Sequence, residues 1–123
     1  MSTMTAIRYR SLCRYAGDWI ERPIERSFTV DDLGDIDACS GVYVVCEPLE
    51  RVHYVGSVHR PANRAGVADR LREHLRAGHK RLWWKTVWVL PLKADAPRAV
   101  VRSVEACVGR DLDPLWRGRL PAL

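Results

Sequence analysis

The sequence predicts an α+β domain, and three observations carry that prediction. Two β-branched and aromatic runs, residues 41–46 and 51–56, are separated only by Glu47, Pro48, Leu49 and Glu50, which is a hairpin pattern. Two later stretches place apolar residues at helical spacing, and a tryptophan-rich run lies between them. With 123 residues, 47% hydrophobic and 28% charged, the chain suits one core and excludes a disordered or low-complexity class.

The first 40 residues are the least patterned and read as an N-terminal accessory segment to a domain of residues 41–123. A short helix fits around residues 4–20 before Pro23 interrupts, and Asp31, Asp32, Asp35 and Asp37 form an approach loop. In the hairpin, a turn centred between Pro48 and Leu49 sets Gly41 opposite Gly56, Tyr43 opposite Tyr54 and Val45 opposite Val52, all on one face. Pro48 suits a primed two-residue turn poorly, so a four-residue turn closed by Cys46 and Arg51 is the better fit, with the same register. A loop over residues 58–65 follows, then a helix over residues 66–77 that stops at Gly78. Val67, Ala68, Leu71 and Leu75 form its buried stripe, while Arg70 and His74 share its border with solvent. Residues 83–90 read as a third strand, with Trp84, Thr86 and Trp88 on one face and Pro91 as its end. A second helix starts near Asp95 and Pro97 and buries Val100, Val101, Val104, Cys107 and Val108. Glu105 lies at the edge of that stripe, and a carboxylate near apolar neighbours needs an arginine, a hydrogen bond or a cation.

Charge is unevenly placed. The net charge is +5, but residues 51–85 carry 9 basic and 2 acidic side chains and all 4 histidines, against 5 basic and 9 acidic in residues 1–50. Such a stretch makes a positive surface attractive to polyanions. Cys13, Cys39, Cys46 and Cys107 form no C-x-x-C pair and read as free thiols. His53, His59, His74 and His79 neither neighbour a cysteine nor pair on a helical face, which argues against structural zinc. No apolar run can span a bilayer and no signal core follows Met1, so the expectation is a cytoplasmic chain without a membrane partner.

Gly41-Val42-Tyr43, ten residues, Tyr54-Val55-Gly56, a helix with Arg70 and His74, a tryptophan-rich strand and a helical Glu105 together resemble the GIY-YIG nuclease superfamily. The resemblance runs from residue 41 to about residue 115. It implies a small three-stranded antiparallel sheet flanked by helices, and a divalent-metal-dependent endonuclease that hydrolyses phosphodiester bonds in DNA. By the same resemblance Tyr43, Tyr54, Arg70, His74 and Glu105 form the catalytic set. Glu105 holds Mg2+ or Mn2+. Either Tyr43, its pKa lowered by the cations around it, or His74 could take the proton of the attacking water; the resemblance favours Tyr43, with His74 positioning or relaying.

Departures from the family pattern shape the rest. The chain before Arg70 is about six residues longer than in a compact member, giving a basic loop with His59, Arg60, Asn63 and Arg64. Ser57 stands where the family often has lysine, and Arg117, three residues after Pro114, stands where it often has asparagine. Ser57, His59, Arg60, Arg64 and Arg117 are therefore the candidate nucleic-acid contacts. No residue is recognisable as a reader of the 2′-hydroxyl, so RNA stays open beside DNA. The competing reading is a catalytically inactive nucleic-acid-binding module of the same fold, favoured by Ser57 and Arg117 and opposed by Glu105. A third, a protein-binding scaffold, rests on the five tryptophans.

Overall fold

The computed structural model describes residues 2–115. Four antiparallel strands, β1 (Phe28–Thr29), β2 (Ser40–Glu47), β3 (Arg51–His59) and β4 (Thr86–Leu92), form one sheet in the order β1-β4-β2-β3. Four α-helices surround it: α1 (Ala6–Cys13), α2 (Gly66–Leu75), α3 (Gly78–Trp83) and α4 (Arg98–Leu112). The class is α+β as expected, but the sheet has four strands rather than three. The added strand is the two-residue β1, pairing Phe28 with Val87 and Thr29 with Thr86, too short to show any alternation in sequence.

Residues 2–40 build into the same two cores as the rest. Tyr9 and Leu12 of α1 are fully buried against the sheet, and Phe28, Leu33, Ile36 and Ala38 are buried on its other face. The Tyr9 hydroxyl donates to Val89 O at 2.6 Å and accepts from Ile24 N at 2.9 Å, tying this segment to β4. The helix expected near residues 4–20 is shorter, ending at Cys13, with a 3-10 turn at Gly17–Trp19.

The β2–β3 pairing corrects the expected register. Tyr43 faces Gly56 and Val45 faces Tyr54, and the register shifts between Val45 and Cys46, leaving His53 as the extra residue. Pro48 fixes its own φ, and the chain reverses through Pro48–Glu50 with Leu49 and Glu50 at φ 67° and 59°. The Glu50 carboxylate accepts from Thr86 Oγ1 and Trp88 Nε1, which anchors this left-handed pair. A displacement of two residues preserves side-chain parity, so Tyr43 and Tyr54 still share a face, as diagonal rather than direct neighbours.

The tryptophan run divides differently from the expected strand. Residues 78–83 are helical, Trp84 caps α3 with its N–H on Lys80 O, and β4 begins only at Thr86. Pro91 lies inside β4, paired with Gly41. It stands beyond the end of β1, where its missing N–H breaks no ladder bond, and its carbonyl accepts from Glu21 N.

The helices cover the sheet as their stripes predict. Val67, Ala68, Leu71 and Leu75 of α2 are buried over Tyr43, Val45, Val87 and Val89. Val101, Val104, Val108 and Leu112 of α4 pack with Val42, Val44, Leu90 and Leu92 on the opposite face. Each such aliphatic side chain stabilises the fold by about 1.5–3 kcal/mol. Val100 and Cys107 are only half-buried, and all four cysteines are free. Strand β3 is thus an edge strand between α2 and α4, and that edge positions the candidate site. No helix among the described residues is long and apolar enough to cross a membrane.

Candidate active site

Parity along β2 and β3 sends Tyr43 and Tyr54 to the face under α2, with ring centroids 6.3 Å apart. Tyr43 is 1% exposed, and its ring lies over Gly56: a Cβ there would meet Tyr43 Oη at 2.6 Å. The glycine of the second tripeptide is required by the tyrosine of the first. One turn beyond Arg70 on α2, His74 is 8% exposed, and its Nε2 lies 2.9 Å from Tyr43 Oη. Its Nδ1 lies 2.7 Å from Lys80 Nζ of α3. Trp84 closes the cluster, fully buried, stacked on Tyr54 at 5.4 Å and tilted against His74 at 5.2 Å.

Burial dominates the proton affinities here. It raises the Tyr43 hydroxyl well above the usual tyrosine value; the neighbouring Tyr54 adds to this, while Arg70, by its charge and a hydrogen bond, pulls the other way. The lowered Tyr43 pKa expected from a cationic setting is therefore reversed, because desolvation of a phenolate outweighs Arg70. Tyr54 is raised by burial as well. Burial, reinforced by Lys80 and Arg70, lowers His74 to about 4, so it is neutral at pH 7.

Glu105 comes from α4 and meets Ser57 of β3. Burial raises its carboxyl, while a hydrogen bond from the Ser57 hydroxyl and the charge of Arg102 lower it. Of the compensations available to a half-buried carboxylate, the structure supplies a hydroxyl and a nearby guanidinium. Beside it, Ser57, Val58, His59, Arg60, Arg70, Arg98, Val101 and Arg102 line a cleft of about 230 Å³. Four arginines around so small a space suit a phosphate.

The sequence-predicted residues are distributed unevenly. Tyr43, Tyr54, Arg70, His74 and Glu105 converge at the β3 edge, since both tyrosines sense the charges of Arg70 and Glu105. Ser57, His59 and Arg60 line the cleft. His59 Nε2 is 3.0 Å from Ala96 O, and its Nδ1 is buried with no partner among the described residues. Arg64 is bound instead by Glu21 and Asp37 and fastens the N-terminal segment to the loop. Arg117 lies outside the described residues. Sequence reasoning missed Glu73, whose carboxylate takes two bonds from Arg60 and one from Arg70 and is held down to about 2 by them, Arg60 first. Its i, i+3 spacing from Arg70 was the available signal. Arg98 and Arg102, spaced i, i+4 on α4, are cleft residues that sequence reasoning did not place there.

Among the described residues no three His, Cys, Asp or Glu side chains gather as a metal cage. A single half-buried carboxylate beside a four-arginine cleft nonetheless fits magnesium, which keeps several waters and takes one or two carboxylates plus substrate phosphate oxygens. In comparisons with protein-family models, curated proteins and solved structures, this chain has no match in any of the three.

Proposed function

We propose that this chain is a divalent-metal-dependent endonuclease that hydrolyses DNA phosphodiester bonds, with the chemistry of the GIY-YIG nucleases. The observation that supports it best is the meeting, at one sheet edge, of the Tyr43–His74–Arg70 cluster with Glu105 and the four-arginine cleft. In-line attack on a phosphodiester places negative charge on the nonbridging oxygens, where preorganised cationic donors stabilise it. Arg70, Arg98 and Arg102 grip the phosphate, and Glu73 holds Arg60 and Arg70 in place. Tyr43 Oη, once its own proton has passed to solvent, receives the proton of the attacking water. The new P–O bond forms as the P–O bond to the leaving oxygen breaks, and that oxygen takes a proton from solvent. Tyr54, braced by Trp84, orients the water. Glu105 would hold a magnesium or manganese ion, which when bound supplies charge stabilisation at the phosphoryl oxygens. The four free cysteines suit a reducing, cytoplasmic setting.

The raised Tyr43 hydroxyl favours a second reading, a DNA-binding module of the same architecture without turnover. Supercoiled plasmid and a branched DNA, incubated with wild type and Glu105→Ala in magnesium, manganese or chelator, separate the two. Metal-dependent nicking by wild type alone is expected. Salt-sensitive binding by both proteins with no nicking by either would transfer the weight to the binding module.

A further inference from the structure

The two ring nitrogens of His74 face different partners, and that decides what the imidazole can do. Lys80 Nζ lies 2.7 Å from Nδ1 and Tyr43 Oη lies 2.9 Å from Nε2. Lys80 Nζ also stands over the Trp84 ring, 5.6 Å from its centroid, a setting that suits an ammonium. Burial, and then Arg70, lower the Lys80 ammonium from its ordinary value, but while it holds its proton it has three donors and no acceptor, so Nδ1 is the accepting nitrogen. A neutral imidazole carries one hydrogen, which is then on Nε2 and points at Tyr43 Oη.

We infer that Lys80 is a positioning residue that locks His74 in its Nε2–H tautomer, making His74 the hydrogen-bond donor to Tyr43 rather than the acceptor of its proton. Three consequences follow. The Tyr43 hydroxyl hydrogen is turned away from His74 and toward the site. A Tyr43 phenolate receives the Nε2–H bond in addition to Arg70. His74 has no free nitrogen with which to act as a general base while Lys80 is charged. The tautomer follows from the two contacts with Lys80 as an ammonium, whereas its catalytic consequence rests on the nuclease reading.

The test reads the two separately. Imidazole nitrogen shifts of 15N-labelled protein, with His74 assigned by its absence in His74→Gln, report the tautomer directly. Wild type and Lys80→Arg should show Nε2–H, and Lys80→Met should shift His74 toward Nδ1–H. In plasmid cleavage, Lys80→Met should lose about a hundredfold in kcat, the scale of a misplaced acid–base group, with KM little changed and Lys80→Arg retaining activity. An Nδ1–H signal in wild type, or the same tautomer in wild type and Lys80→Met, would overturn the inference. Nε2–H in wild type, lost in Lys80→Met, with no cleavage by any variant would uphold it and overturn the nuclease reading instead.

Discussion

Gly56→Ala tests the Tyr43 packing with a single methyl group. The new Cβ would lie 2.6 Å from Tyr43 Oη and 2.7 Å from Cε2 and Cζ, whereas ordinary contact begins at 3.4 Å. The ring must therefore retreat by about 0.8 Å, a distance set by those contacts, yet it is 1% exposed and bonded to His74. Overpacking of this kind costs about 1–3 kcal/mol. A broken Tyr43–His74 bond in a buried setting costs about 1–3 kcal/mol more. Because moving away from the clash is what breaks the bond, the two are not fully additive, and the expected loss is about 2–4 kcal/mol. Urea denaturation of wild type and variant measures it, and plasmid cleavage should fall with it as Tyr43 moves. A variant as stable as wild type, with the His74 imidazole shifts unchanged, would refute the packing argument.

Three further outcomes are expected. His74 is lowered to about 4 from 6.5, so the unfolded chain binds a proton between those values and the folded chain does not. Its contribution is complete above pH 6.5 and lost as pH falls toward 4, by about 3 kcal/mol at most; His74→Gln should flatten that part of the urea stability profile, and an unaltered slope would contradict the burial. Tyr9→Phe leaves Ile24 N without its acceptor and should cost about 1–3 kcal/mol in urea unfolding while sparing cleavage. Replacing both Arg98 and Arg102 by Ala should reduce the salt dependence of DNA binding by about two phosphate contacts; an unchanged log–log slope would remove the cleft from the DNA path.

Much of the fold and candidate site was legible in sequence because the helical period, and strand parity away from the bulge, survive local errors. The hairpin register is displaced by two residues at the tyrosines, which keep their shared face, but by one past the bulge at His53, so that Val52, expected beside them, packs in the opposite core with Cys46. The α2 stripe and Arg70 at its border follow directly from 100° spacing, whereas His74, expected at that border, is buried with the stripe. What was hidden depends on partners distant in the chain. β1 exists only because β4 offers an edge to two residues. Trp84 reads as strand beside Thr86 and Trp88, but the α3 turn places it under His74. Lys80 becomes a partner of His74 only through the α2–α3 break, and Arg64 is claimed by Glu21 and Asp37, 43 and 27 positions away.

Glu105→Gln tests the central claim most directly, with folding stability and plasmid cleavage measured on the same preparation. Burial raises the Glu105 carboxyl, so its ionised form is disfavoured in the folded chain. That penalty is absent below the ordinary glutamate value of 4.5 and complete above the raised one. A half-buried charge kept at a stability cost, for the sake of a cation and a phosphate, predicts that Glu105→Gln at pH 7 abolishes metal-dependent nicking and is at least as stable as wild type. Retained nicking together with reduced stability would contradict it and make Glu105 a structural partner of Ser57 and Arg102.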